Sequence, residues 1–341
     1  MLGKTRYFYS GYDYGSQALF GPGSVFLNRG FDVFQLRPAN RNPFRQDWGL
    51  DGGNVLQSMA SPRKTIASRG TSTFVQQELL PLSYTGNTAR WLPNYGLHLI
   101  GGGVTYRALA EWFDAHDVPA PAVWSIATMY AAAFVNESLE NKHFVGPNTD
   151  AVADLYVFDL AGILLLSINP VARFFSRNVV VSDWSLQPAF VVPSGSLHNQ
   201  GNYYAIRAPV PFTSERLRLF GYIGFSTMGG LSYRITPELS LSAAAGVRVA
   251  SLENSSKTTI ENVITTRPAA AIFIDRNESL LASMQVSDVA DYFVHVNMYP
   301  NALFRSKPGI GLWTAMSREA HWLAGISFTG TLGFGVGVGT L

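Results

Sequence analysis

The chain has 341 residues, of which 47% are hydrophobic and only 14% charged, against roughly 25% charged in ordinary soluble domains. So few charges cover a water-soluble surface of this size poorly, and a net charge of +2 leaves no basic stripe for nucleic acid. With no cysteine, disulfides, thiolate nucleophiles and cysteine-ligated metals are excluded.

In chain order, residues 1–93 are rich in Gly, Tyr, Asn, Arg and Pro with weak periodicity. Two stretches there, Val25–Leu36 and Phe74–Tyr84, read as strands joined by a long loop, and this region is expected to contribute to a sheet or to its cover. Residues 1–20 lack the continuous apolar run of a signal peptide, so an exported form implies a leader removed upstream.

Residues 94–175 change period. NYGLHLIGGGVTYRALAEWFDAHD reads as a helix, and a second begins in the prolines at 119 and 121 and runs uncharged from Val118 to Val135. That run is near the minimum of about 17 residues for crossing a bilayer, so it is either a span or a helix buried in protein. A third helix covers TDAVADLYVFDLAGILLLS, with Thr149 as candidate N-cap and Pro170 limiting it.

Residues 176–341 return to a period of two. Leu239, Leu241, Ala243, Ala245, Val247 and Val249 alternate with Ser240, Ser242, Ala244, Gly246, Arg248 and Ala250. Further strands are expected at 217–226, 270–274, 280–287, 292–299 and 310–316. The last stretch, HWLAGISFTGTLGFGVGVGTL, is the clearest. Trp322, Ile326, Phe328, Val336 and Val338 share one face, while the other is almost bare glycine, serine and threonine. A face washed by water would carry Lys, Glu and Gln, and this one carries none. Lipid on the large-residue side and close packing on the small side account for both.

The fold class expected is therefore mainly β: a closed antiparallel transmembrane β-barrel of about 8–12 strands. The three-helix apolar segment would pack in or against it, with the small inner residues admitting the helices as a plug. The chain ends on Leu341 rather than the usual aromatic residue, with Phe334 the nearest.

Candidate chemistry lies on the helical segment: His98; Glu111 and Asp114; Glu137, Glu140, Asn141 and His143; Asp150, Asp154 and Asp159. Asp159 interrupts an apolar run, and a carboxylate there needs a partner, His98 or Arg107. The triplet Gly101–Gly103 suits close helix packing, since no phosphate-loop lysine follows it. His295 and Asn297 fall on an inner strand face. No Gly-x-Ser-x-Gly or His-Glu-x-x-His motif is present. No cofactor and no metal are implied.

The layout resembles small helical membrane domains of the VanZ-like kind, with a His followed by small residues, an acid ending the next helix, and an acid before a Gly. Here these are His98 with Gly101–Gly103, Glu137, and Asp159 three residues before Gly162. It is also similar to uncharacterised outer-membrane barrels with an inserted helical segment. The resemblance implies His98, Glu137 and Asp159 as catalytic candidates and brings no settled reaction. Asp154 stands one residue off the family spacing.

Three functions follow as expectations. The first, set ahead because no catalytic signature is present, is an outer-membrane protein plugged by its own helices, a scaffold or subunit of an envelope assembly. Its partners would be membrane lipid and other envelope proteins. The second is a lipid-modifying enzyme with His98 as base and Glu137 or Asp159 orienting it. The third is a small-solute pore, which the small, neutral inner faces disfavour. A bacterial outer membrane is the location all three imply.

Overall fold

A computed structural model describes residues 5–36, 40–81, 91–192, 194–211, 213, 216–254 and 262–340. The first half is helical: α1 (Pro22–Gly30), α2 (Trp48–Ala60), α3 (Pro62–Arg69), α4 (Thr71–Phe74), α5 (Gly103–Ala115), α6 (Pro121–Glu140), α7 (Thr149–Ala153), α8 (Asp159–Ser167) and α9 (Asn169–Arg177). Three stretches, Val75–Leu79 after α4, Leu92–Gly102 leading into α5 and Asp154–Phe158 joining α7 to α8, are wound more widely, as π-helix.

The strands expected before residue 82 are helices instead. Pro22 sits in the first turn of α1, and Ser24 Oγ accepts from Gly21 N at 3.2 Å to cap it. The 3-10 turn Asp32–Leu36 then completes the stretch read as a strand. Its apolar residues, Phe31, Val33 and Phe34, pack together with Leu197. In the second stretch α4 runs on into the wide turn Val75–Leu79, while residues 82–84 lie outside the described residues.

The three helices expected from residue 94 onward are present, in a helical region that already begins at Pro22. One difference is the cap of α7, where Asn148 rather than Thr149 accepts from Ala151 N at 3.1 Å. Beyond Ser167 the axis turns by 92°, with Ile168 extended and Pro170 opening α9. Among the described residues no single helix is long and apolar enough to cross a membrane.

The strands are β1 (Val181–Asp183), β2 (Ala189–Val191), β3 (Ser196–His198), β4 (Tyr204–Pro209), β5 (Leu217–Ile223), β6 (Ser226–Arg234), β7 (Leu239–Asn254), β8 (Asn262–Arg276), β9 (Ser279–Ser287), β10 (Val294–Met298), β11 (Ile310–Met316), β12 (Trp322–Phe328) and β13 (Gly335–Gly339). They form one sheet in the order β1-β4, then β5 through β13, then β2-β3. Every neighbouring pair is antiparallel except β13 with β2.

This corrects the expected closed barrel and its strand number. The sheet has thirteen strands and two terminal strands, β1 and β3, with no ladder joining them. It is nevertheless strongly rolled. Eleven ladder steps separate β1 from β2 in the order, about 53 Å if flat at ~4.8 Å per step. Only residues 184–188 link them in sequence, a reach of at most ~21 Å. The link carries the same pairing onward: Trp184 and Leu186 donate to the Tyr203 and Gly201 carbonyls, in the register that sets Val181 against Ile206 and Ala189 against His198. At the other end Leu197 N of β3 donates to Arg41 O at 2.9 Å, so the N-terminal region covers that strand.

Side chains alternate across the rolled sheet as expected. Tyr222, Ser242, Phe273, His295, Asn297 and Leu323 are buried inward. Outward stand Leu219, Leu231, Ile272 (53% exposed), Met284, Ile326 and Val338 (56%), an apolar face left uncovered among the described residues. The helical segment does not plug the interior, which is a second correction. Val104, Leu166 and Ala172 pack on Val181 and Tyr204 at the β1–β4 end. The inner side is filled by the strands' own residues and the N-terminal region. Arg207 bridges Asp275 at 2.5 Å under Trp184. Leu19 joins that core, and Gln35 accepts from Tyr203 Oη at 2.7 Å.

Candidate functional site

Glycine positions the site. At Gly103 a Cβ would lie 2.6 Å from the Gly162 carbonyl oxygen, and at Gly162 one would lie 2.4 Å from that of Leu99. The two helices can touch backbone to backbone only because both positions lack a side chain. That contact sets His98 beside Asp159, one turn before Gly162. His98 Nδ1 stands 3.2 Å from Asp159 Oδ1, and its Nε2 stands 3.5 Å from Asp154 Oδ2. Two of the wide-wound stretches meet here, since His98 lies on one and Asp154 opens the other.

The third member comes from the N-terminal region. Arg29, in the last turn of α1, donates from Nη2 to Asp159 Oδ1 at 2.5 Å and lies 3.3 Å from His98 Nδ1. Asp32 follows, accepting from Asn136 Nδ2 at 2.7 Å. The anticipated His98–Asp159 pair is thus present, but the cation at Asp159 is Arg29. Arg107 instead pairs with Glu111 at 3.0 Å. Sequence reasoning missed Arg29 and Asp32, whose only signal was a cation and an acid flanking Gly-Phe in RGFD.

Electrostatics follow from burial and these partners. Burial by itself would lower His98, but Asp154 and Asp159 outweigh it and hold the imidazole up at about 9. Burial would raise Asp159, yet Arg29 and His98 together bring it below the usual carboxylate range. Burial lifts Asp32 to about 7 against the pull of Arg29, and lifts Glu140 to about 8 with help from Asp150. Glu137 is pushed well up by burial and by Asp154. At neutral pH the site therefore sets the Arg29 and His98 cations against the Asp159 carboxylate, while burial holds Asp32, Glu140 and Glu137 towards their neutral forms.

Of these groups Arg29, Asp32, His98, Glu140 and Asp154 line a cavity of about 420 Å³, within the range of small-molecule sites. They form its polar floor. Its mouth is apolar: Trp91, Leu92 and Leu97 from the helical side, Phe225, Val247 and Val249 from the sheet. Val247 belongs to the outward face of β7. A bulge between Val249 and Ser251 bends β7 at this wall.

Other sequence candidates fall elsewhere. Glu137 is buried and does not line the cavity, whereas Glu140 and Asp150 do. Glu111 accepts from the backbone N–H groups of Tyr7, Phe8 and Tyr9 at 2.8–3.0 Å, which ties down the N-terminal segment. Asn141 bonds Asn54 and Asp51, and His143 meets Asp51 at 3.3 Å, away from the cavity. Asp114 lines a shallow cleft with Arg107 and Glu111. His295 and Asn297 join Asn199 and Gln187 in a buried network on the inward sheet face. Among the described residues no three or more His, Asp or Glu are grouped to hold a metal ion.

Comparison of the chain with protein-family models, curated proteins and solved structures finds no match. The resemblance of the helical segment to a known family therefore gains no support, and function rests on the site.

Proposed function

We propose that this chain is a lipid-modifying enzyme of a bacterial outer membrane, its outward sheet face lying in hydrocarbon and its chemistry carried out in the His98 cavity. One observation carries the proposal: a polar floor of buried ion pairs beneath an apolar mouth that is continuous with the uncovered face of β7. An amphipathic substrate fits such a cavity, head inward. The two terminal strands do not stand against this setting. Backbone edges are tolerated in a bilayer where protein covers them, as the helical segment does for β1 and the N-terminal region for β3.

His98, held as imidazolium, serves as proton donor to an oxygen of the head group as its bond breaks, with Asp159 and Arg29 fixing the ring. A carboxylate of Asp32 or Glu140, with affinity for protons near neutrality, accepts the proton of the incoming hydroxyl, whose oxygen bonds to the ester centre that the protonated oxygen leaves. Asp159 orients and does not transfer. The scaffold reading stood first on the lack of a catalytic motif; a cavity with opposed acid and base groups favours the enzyme.

The test is turnover of envelope lipid extract by the purified protein, with lipids profiled by mass spectrometry. His98→Gln is expected to slow conversion by about 10²-fold or more, the usual weight of a general acid, and Asp159→Asn to slow it through loss of the ring's orientation. Unchanged profiles for both variants would reject the proposal and return the scaffold reading to first place.

A further inference from the structure

The cavity is asymmetric, and that asymmetry says how a ligand lies in it. Every charged group sits on the side made by α1, the turn at Asp32, α6, α7 and the wide-wound helical stretches, whereas the sheet side contributes Phe225 from the β5–β6 turn and, from the strands, Thr227, Val247, Val249, Ile264 and Thr266. These strand residues present no charge. Register puts them on one side of the sheet: Thr227 pairs with Val247, and Val249 with Thr266. Residues between them, such as Ser226 and Arg248, are buried on the inward side. The cavity wall is thus a stretch of the same outward surface that carries Leu241, Ile272 and Ile274. Across the gap stand Trp91, Leu92 and Leu97, with Trp91 half exposed at the rim.

We propose that this slot is a lateral entry for one alkyl chain of a membrane lipid, which slides from the bilayer between Leu92–Leu97 and β6–β8 until its head reaches Arg29, His98 and Asp154. This deepens the enzymatic reading and rests on its lipid setting, but it concerns binding rather than chemistry. The occupant follows from continuity. A chain already lying on the outward face needs to cross no polar barrier to enter, and the charged floor then stops it at the head group. A water-soluble ligand would have to desolvate against Trp91 and Val247 first, at a cost the apolar rim does not repay. The bulge at Val249–Ser251 turns β7 where the slot needs width.

Native mass spectrometry of the full chain in mild detergent tests it, after loading with a phospholipid of defined chain length. Wild type is expected to retain one lipid per chain. Val249→Trp, which fills the slot, is expected to lower retention at least tenfold, while Met284→Trp, elsewhere on the same outward face, leaves it unchanged. His98→Gln retains the lipid but loses turnover. Retention by Val249→Trp equal to wild type overturns the slot, as does equal loss from Met284→Trp. If lipid is held and lost as expected while His98→Gln still turns over, the slot stands and the catalytic reading falls. Circular dichroism and thermal unfolding of each variant exclude misfolding as the cause of loss.

Discussion

His98 has both ring nitrogens facing carboxylates, and that decides its protonation more than its burial does. Its folded affinity for protons, at about 9, lies above the unfolded value of about 6.5. A group raised on folding stabilises fully below its unfolded pKa and loses that contribution as pH climbs through the folded one. Between pH 6.5 and 9 the wild type is therefore expected to lose thermal stability, and His98→Gln to lose less over the same window. Melting curves in detergent across that range measure this, and parallel slopes for the two proteins would contradict it. Asp32 and Glu140 are also raised on folding and so lose stability with rising pH in the same direction; both proteins carry them, and the His98 comparison removes their share by subtraction.

At the scale of elements, the site depends on two glycines that bring helices into backbone contact. A Gly103→Val side chain would meet the Gly162 carbonyl and the Leu166 side chain, and the backbone cannot yield as a flexible side chain can. The expected cost is at least the ~1–3 kcal/mol of ordinary overpacking. The more telling result is local: with the helices forced apart, His98 separates from Asp159 and its titration measured by NMR falls back towards about 6.5. A variant with lower melting temperature but unaltered His98 titration would show that the glycine contact supports the fold without placing the histidine.

For the whole molecule, the question is what lies against the outward face. Ile272, on the second-longest strand, is 53% exposed amid other apolar side chains. If that face is in hydrocarbon near the bilayer midplane, Ile272→Lys costs about 2–4 kcal/mol of stability in lipid vesicles. In water the same exposed substitution would fall within ~0.5 kcal/mol. Equilibrium unfolding in vesicles separates the two, and a near-neutral result removes the lipid setting on which both proposals stand. Inward positions give no such discrimination, because Arg207 and Asp275 already occupy that side as a paired charge.

Much of this organisation could be read from residue order. A period of two marked the strands from Leu217 onward and told large faces from small ones, since alternation is a local property of extended chain. Helical period and proline placement marked residues 94–167, and an acid inside an apolar run drew attention to Asp159. What residue order did not decide was anything requiring distant segments to meet. Val25–Leu36 looks extended locally but is capped and packed as helix. Arg29 reaches Asp159 across 130 residues. How the sheet rolls is set by pairings between distant segments, such as the parallel contact of β13 with β2, which alternation does not encode. The cavity is the clearest case: its floor and mouth come from helices and strands far apart in the chain, so only their packing brings charge and apolar surface together.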